Sequence, residues 1–313
     1  MPDQRITVLS HLPLALLDRV RDEFADLDWV EVPSKGDLEE GILGEVLLTL
    51  TWGTPNLGHV IERGVKWIHT IGTGVDRFPT EHLGDRILTC ARGANSEAIA
   101  EWTLAMMLAF EKQLPDMWIE RPPERWNTAN LGGLSGKTLG IVGLGSIGQA
   151  VATRALAFGV RVRALRRSDA PSPLPDVELA ASLRDLLESA DHLIIAAPAT
   201  PETHHLIDAE ALAWVRPGVH LVNIARGSLL DQDALRPALE DGRVARASLD
   251  VAEPEPVPEG HWLYTHPRVR LSAHVSWSTP NGIERLLETF AANMRHYLRG
   301  EPLQDQVDLS RGY

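Results

Sequence analysis

The sequence predicts an α/β protein with two parallel-sheet domains, and three observations carry that prediction. Short β-branched or apolar runs alternate with helical patterns along most of the chain, which favours parallel strands joined by crossover helices over a sandwich. The alternation runs through twice, once on each side of a long apolar segment. The chain has 313 residues, more than one ordinary hydrophobic core accommodates, and 44% of them are apolar, enough to fill two.

In the first block the candidate strands are residues 6–9, 45–50, 67–70 and 87–90, and residues 13–24 have helical periodicity. Residues 96–110, SEAIAEWTLAMMLAF, read as an apolar helix N-capped by Ser96 and placed to pack between domains. Residues 115–136 have no clear period. They carry Trp118, Pro122, Pro123, Trp126 and Leu131-Gly132-Gly133-Leu134, and read as an irregular arm or linker. The second block offers strands at 138–142, 160–165, 192–196, 219–223, 245–250 and 269–272, with Pro171-Ser-Pro-Leu-Pro175 as a surface loop. There is no repeat and no low-complexity tract.

Composition excludes several classes of function. The formal charge of −13, from 43 acidic and 30 basic residues, repels a phosphate backbone, so nucleic acid is not an expected partner. The single cysteine, Cys90, makes no internal disulfide and no metal cluster; it reads as a small buried hydrophobe in a reducing compartment, and no metal is expected. The N-terminal MPDQRITVLS lacks the zones of a signal peptide, and no run of eighteen apolar residues occurs without a charge. A soluble cytoplasmic protein with no membrane partner is expected.

The run Gly143-Leu144-Gly145-Ser146-Ile147-Gly148 places G-x-G-x-x-G directly after an apolar strand and before a helix, QAVATRALAFG, ending at Gly159. The first glycine allows the tight turn, the second lets a pyrophosphate approach the backbone, and the third lets helix pack on strand. The helix N-terminus supplies amides and a positive dipole end. A bare match is weak, but strand, helix and next strand at this spacing point to a dinucleotide. About twenty residues on, where an NAD enzyme usually has an acid for the ribose hydroxyls, this chain has Arg166, Arg167 and Ser168. Two guanidiniums and a hydroxyl suit the 2′-phosphate of NADP. The alternative is that these arginines are solvated and Asp169 reaches back to the ribose, which would allow NAD.

Three polar residues follow the second block's late strands, the edge where ligands collect in an open parallel sheet. Arg226 follows VHLVNIA; its planar fork clamps a carboxylate and polarises a neighbouring keto oxygen. His274 follows VRLSA and is the natural proton donor and acceptor for a carbonyl and alcohol pair. Glu255, beyond ARASLDV, is the candidate carboxylate to hold the imidazolium and fix its tautomer. Each also has a plain reading: Arg226 caps a helix or pairs with Asp231, Glu253 and Glu255 are solvated, His274 is a strand-end histidine. His192, His204 and His205 keep that plain reading.

Together these residues carry a family resemblance. Asn223-Ile-Ala-Arg226-Gly227, Asp250-Val-Ala-Glu-Pro-Glu255-Pro256, His274-Val-Ser-Trp-Ser-Thr279 and GLGSIG resemble the D-isomer-specific 2-hydroxyacid dehydrogenases, as do Gly72-Thr-Gly-Val-Asp76, Arg92-Gly-Ala-Asn-Ser-Glu-Ala-Ile-Ala-Glu101 and Pro201-Glu-Thr-His-His-Leu-Ile207. The helix at 208–214 and Arg216-Pro-Gly218 also fit. The resemblance covers nearly the whole chain. It implies two Rossmann-like or flavodoxin-like domains: a NAD(P)-binding domain at 99–282 inserted into a substrate domain made of 1–98 and 283–313, with hinge helices at 96–110 and 280–299. It implies a homodimer through the cofactor domains, with the 115–136 arm reaching the partner. Arg226, Glu255 and His274 take their catalytic roles in it. Pro198, Thr203, Ala225 and Asp250 lie along the cofactor, and the amides of Gly74 and Val75 bind the substrate carboxylate.

The chain departs from the pattern at Ala273, where many members have proline, and at Ser276-Trp277, which replaces a small glycine-rich pair and bears on substrate size. Trp52 and Gly53 fall near where the outer domain of that family faces substrate. The missing acid at Arg166 resembles the glyoxylate and hydroxypyruvate reductase branch. No regulatory domain is expected after Tyr313, and on that expectation the long phosphoglycerate dehydrogenases are a poorer match. The expected activity is NADPH-dependent, reversible reduction of a small 2-oxo acid to the D-2-hydroxy acid, with His274 as acid and base. The alternatives are a formate- or phosphite-type dehydrogenase on the same fold, or a cofactor-sensing corepressor-like interaction protein.

Overall fold

A computed structural model of the chain describes residues 5–168 and 170–313. Two compact units divide it: the chain up to Asn95 joins Thr279–Tyr313 in the first, and Ser96–Ser278 form the second. The second is therefore an insertion in the first, with the changeovers at 95/96 and 278/279 where the sequence placed them at 98/99 and 282/283. In chain order the first unit holds β1 (Thr7–Ser10), α1 (Asp18–Glu23), β2 (Asp28–Glu31), β3 (Val46–Thr49), α2 (Leu57–Ile61), β4 (Trp67–Thr70) and β5 (Ile87–Cys90). The second holds α3 (Ser96–Glu111), β6 (Thr138–Val142), α4 (Ser146–Ala157), β7 (Arg161–Leu165), β8 (Val177–Leu179), α5 (Leu183–Ser189), β9 (His192–Ile195), α6 (Ala209–Trp214), β10 (Val219–Asn223), α7 (Gln232–Glu240), β11 (Val244–Leu249) and β12 (Val269–Leu271). The first unit resumes with α8 (Gly282–Leu298).

The first unit is a five-stranded parallel sheet of order β2-β1-β3-β4-β5. Its inner strands VLLT and WIHT are buried at every position, as strands covered on both faces must be. Strand β2, DWVE, was not anticipated from sequence. It is a sheet edge with a charge at each end and no apolar run to betray it. The periodic stretch 13–24 is not one helix: a short 3-10 turn at Leu14–Leu16 breaks at Leu17 before α1 begins. In α8, Leu286, Leu287, Phe290, Ala291 and Met294 recur at helical spacing and are buried against Val8, Val46, Leu48 and Trp67. Phe290 stacks on Trp67 with ring centroids 5.4 Å apart. The far edge is closed by the C-terminal tail, where Val307 donates to the Leu88 carbonyl at 2.9 Å.

The second unit is a seven-stranded parallel sheet of order β12-β11-β10-β9-β6-β7-β8, so the direction of winding reverses between β6 and β9. Ser182, Asp208 and Asp231 each accept an amide bond that starts α5, α6 and α7. Ser96 does not cap α3 as the sequence suggested. It is the first helical residue, and its buried Oγ has no hydrogen-bond partner among the described residues. Strand β8 is a three-residue edge that sequence patterning also missed. Residues 115–136 hold neither helix nor strand, as expected of an irregular arm.

A chain of polar groups runs through the buried centre of this sheet. Glu111 Oε1 lies 3.1 Å from His192 Nε2, His192 Nδ1 lies 3.1 Å from His220 Nδ1, and His220 Nε2 lies 2.9 Å from Ser248 Oγ. Burial pushes Glu111 up, but its bond to His192 and the nearby Lys137 outweigh this and hold it below the usual carboxylate value. Burial, then the charges of His192 and Arg246, holds His220 well below the ordinary imidazole value. In the first unit, burial alone pushes His69 down to about 3, with its two nitrogens on Thr89 and Thr289 hydroxyls at 2.8 and 3.2 Å.

His69 and His220 are thus neutral in the native protein, whereas the unfolded chain protonates them below its value of about 6.5. Their folded values are depressed, so the stability they contribute is complete above about pH 6.5 and is lost as pH falls towards the folded values. The slope approaches about 1.4 kcal/mol per pH unit for each histidine. Denaturant melts at a series of pH values between 7.5 and 5 should show both units weakening on acidification, and His69→Gln should flatten the profile of the first. A flat wild-type profile would mean that these imidazoles titrate freely in the native state.

Candidate active site

The glycine loop leaves β6 at the point where the winding reverses. Gly143 has φ +100, and a Cβ there would stand 2.6 Å from the Ala197 nitrogen and 2.7 Å from the Ala196 carbonyl carbon. The loop is therefore pressed against the chain leaving β9, and its amide is tied to the Leu165 carbonyl of β7 at 2.8 Å. A Cβ on Gly148 would lie 2.2 Å from the Gly143 oxygen, so the first turn of α4 sits directly on the loop. Gly145 differs from both: its φ of −77 is open to any residue, and a Cβ there meets no atom within 4 Å. It N-caps α4 without a side chain, so the space beside the start of the helix, where a Cβ would stand, is open. That cradle fits a pyrophosphate.

Other expected cofactor contacts lie at the same carboxyl edge. Thr203 donates to the Pro198 carbonyl at 2.7 Å and accepts from the Thr200 amide at 2.8 Å, which folds the segment after β9 into a compact turn. After β7, Arg166 donates to the Pro171 carbonyl at 3.0 Å, while Arg167 and Ser168 are exposed. Asp169, the alternative ribose ligand, lies outside the described residues.

The three candidate catalytic residues are held by backbone contacts between the loops after β10, β11 and β12. Asn223 accepts from the Ala225 amide at 3.1 Å and donates to the Arg226 carbonyl at 2.9 Å, turning the chain as it leaves β10. The Arg226 guanidinium donates to the Ala225 carbonyl at 2.7 Å. A Cβ on Gly227 would stand 2.0 Å from the Ala252 carbonyl carbon, so the Arg226 turn is seated on the segment that leads to Glu255. Glu255 Oε1 accepts from the Ala252 amide at 3.1 Å, and Oε2 lies 3.0 Å from His274 Nδ1. A carboxylate only accepts, so Nδ1 carries the proton and Nε2 is the nitrogen left for exchange. Asp231 caps α7 through the Asp233 and Ala234 amides.

His274 sits at φ +55, the left-handed region, which costs a side-chain-bearing residue about 1–2 kcal/mol. Its amide donates to the Asp250 carbonyl at 2.8 Å, and its carbonyl accepts from Trp277 Nε1 at 3.0 Å. The Asp250 carboxylate, 1% exposed, accepts from Ser272 Oγ at 2.6 Å and from the Val275 and Ser276 amides at 2.9 Å each. Trp277 packs its indole on the second unit's core and so braces the histidine backbone. Sequence reasoning missed Asn223 and Ser272 as supports; a turn-forming residue at a strand end was the available signal for the first.

In the first unit Trp52 and Gly53 follow β3, and Gly74 and Val75 follow its neighbour β4, so all four share that sheet's carboxyl edge. Trp52 is 64% exposed and Gly53 has φ +66. The Val75 side chain is buried in the core, and neither the Gly74 nor the Val75 amide donates a hydrogen bond among the described residues. No helix is long and apolar enough to cross a membrane among the described residues.

Comparison with known proteins bears on this arrangement. The sequence profile of the D-isomer specific 2-hydroxyacid dehydrogenase NAD binding domain matches residues 104–276. The chain is 32% identical over 301 residues to a D-3-phosphoglycerate dehydrogenase of Methanocaldococcus jannaschii, covering 93% of this chain but only 57% of that protein's length. It is 35% identical over 252 residues to a glyoxylate reductase of Thermofilum pendens, covering 76% of this chain and 73% of that protein. A D-isomer specific 2-hydroxyacid dehydrogenase from Xanthobacter autotrophicus Py2, solved with NADPH and MES, superposes with a TM-score of 0.83 at 26% identity, covering 99% of this chain and 100% of that one. The two parallel α/β units, one inserted in the other and carrying a dinucleotide-type glycine loop, define an oxidoreductase fold. The chain belongs to the D-isomer specific 2-hydroxyacid dehydrogenase family.

Gly145→Ala separates cofactor binding from folding. The backbone admits alanine and nothing is displaced, so stability should change by less than about 1 kcal/mol, while the methyl group occupies the cradle. Fluorescence titration should show nicotinamide dinucleotide binding weakened by about tenfold or more; unchanged affinity would place the pyrophosphate elsewhere.

Proposed function

We propose that the protein reduces a small 2-oxo acid to the D-2-hydroxy acid, reversibly and with NADPH in preference to NADH. The observation that supports this most directly is the 3.0 Å pairing of His274 with Glu255 beside the seated Arg226 turn. When bound, the reduced nicotinamide supplies a hydride to the keto carbon. His274, oriented by Glu255, gives its Nε2 proton to the developing alkoxide, and takes it back when the alcohol is oxidised. Arg226 clamps the substrate carboxylate and stabilises the charge on the keto oxygen. The reading retains the Gly74 and Val75 amides as carboxylate donors, Trp52, Gly53 and Trp277 as substrate contacts, and Ala225, Pro198, Thr203 and Asp250 along the cofactor. It keeps residues 99–282 as the cofactor domain and 1–98 with 283–313 as the substrate domain. Arg166, Arg167 and Ser168, where an acid would favour NAD, support the preference for NADPH, as does the NADPH bound by the Xanthobacter relative.

The test is the loss of reduced-cofactor absorbance with NADPH and with NADH against glyoxylate, hydroxypyruvate, pyruvate and a phenyl-substituted 2-oxo acid. NADPH should be favoured, and the substrate ranking reads the pocket size. His274→Ala should lower kcat by about 10²–10⁴ while dinucleotide affinity is kept, and Arg226→Lys should chiefly raise KM because the fork is lost. Turnover of His274→Ala near wild type would refute the assignment. Silence with both cofactors on every acid would favour a formate-type or corepressor-type role.

The same proposal includes a homodimer made through the second unit. Trp118 and Trp126 of the 115–136 arm are 70% and 73% exposed, and a cavity of about 400 Å³ lined by Trp102, Met106, Leu114, Pro115 and Leu271 lies at the root of the arm. Apolar surface of this kind favours a covered state. Sedimentation velocity should give a dimer that Trp118→Ser with Trp126→Ser weakens; a wild-type monomer at micromolar concentration would overturn this part.

A further inference from the structure

We propose that His204, His205 and Glu253 form a surface site for a single divalent transition-metal ion of the zinc type. One ligand atom from each of the three lies within 4.8 Å of the others. Successive side chains on an extended chain point to opposite sides, so two adjacent imidazoles share a face only where the backbone departs from it. Here it does. His204 ends the short 3-10 turn Pro201–Thr203 in an extended conformation, and His205 follows at φ +49. The two rings stack, centroids 4.1 Å apart and 24° from parallel, so the three ligand atoms are neighbours, and one imidazole turns about its side-chain torsions to bring its in-plane nitrogen onto a shared ion.

Both backbones that present these donors are anchored. The His205 amide donates to the Ser228 carbonyl at 2.7 Å, and the Ile207 amide to that of Leu229 at 3.0 Å. The Glu253 amide donates to Gln232 Oε1 at 3.2 Å, and its carbonyl accepts from Gln232 Nε2. Neither imidazole takes part in a side-chain hydrogen bond among the described residues, so their nitrogens are available to an ion. Two imidazole nitrogens and one carboxylate oxygen, with water completing the shell, are a donor set for zinc, nickel or copper. Magnesium and calcium, which demand all-oxygen shells, are a poor match. An ion held there ties the turn that carries Thr203 to the segment that carries Glu255. Affinity falls on acidification, because a proton and a metal compete for the same nitrogen.

The test is isothermal titration of the intact, metal-stripped protein with zinc chloride. Wild type should bind one ion per chain at this site, and His204→Gln and Glu253→Gln should each weaken that binding about tenfold or more. All three residues are at the surface, so unchanged thermal melts should accompany the loss and exclude misfolding as its cause. Magnesium should give no comparable binding. The proposal is overturned if wild type binds no zinc, if both variants bind it as wild type does, or if magnesium binds equally well. None of these readouts needs turnover, so the site stands or falls separately from the dehydrogenase activity.

Discussion

The candidate active edge of the second unit depends on a buried carboxylate. Asp250, at the exit of β11, is almost wholly withdrawn from water, and a buried charge of this kind is tolerable only if hydrogen bonds replace its hydration. Its three donors all come from the segment after β12: a serine hydroxyl and two consecutive amides. The Asp250 carbonyl takes the His274 amide as well. Satisfying one charge therefore wraps residues 272–276 around the end of β11, and the unfavourable φ of His274 is a consequence of that wrapping. Glu255 issues from the same strand a few residues later and is fixed by the Ala252 amide. The imidazole and its carboxylate are thus both suspended from one strand end, which keeps their separation independent of longer loops.

Close backbone approach does for the other loops what Asp250 does for the histidine. At Gly143, Gly148 and Gly227 a methyl group would overlap neighbouring main chain, so the loop after β6 is in direct contact with the one after β9, and the loop after β10 with the one after β11. In a parallel sheet these loops all emerge on one side, and the reversal of winding between β6 and β9 opens a crevice there. Gly145 stands in the same motif, but a side chain there would meet only open space. The motif therefore contains two kinds of glycine, those required by the fold and one that leaves room for a ligand.

The sequence made the central strands legible because they are buried on both faces and read as unbroken apolar runs. Edge strands β2 and β8 were illegible for the complementary reason: half-solvated and three or four residues long, they have no pattern distinct from a loop. The candidate residues at the carboxyl edge were picked out through motif order, and the structure sets them on the loops after β10, β11 and β12. Their supports were not, since nothing local marks Ser272 as the partner of a carboxylate twenty-two positions away. Ser96 had the residue type of a cap, yet tertiary packing buried it one position into the helix. The left-handed conformations of His205 and His274 were equally hidden, as both are imposed by distant backbone partners.

Histidine shows most clearly why residue type alone does not define a site in this molecule. His69 and His220 are fully enclosed, with both nitrogens engaged by hydroxyls or another ring, and burial keeps them neutral. Such imidazoles cross-link strands and helices, and their proton has no route to exchange. His274 has 41% of its side chain exposed and gives one nitrogen to a carboxylate, which leaves the other for the proton exchange proposed above. His204 and His205 have neither burial nor a carboxylate bond, and their shared orientation alone sets them apart. The three fates follow from position relative to the sheet: its interior neutralises the ring, its carboxyl edge polarises it, and the loop surface beyond leaves both nitrogens to whatever the solvent supplies.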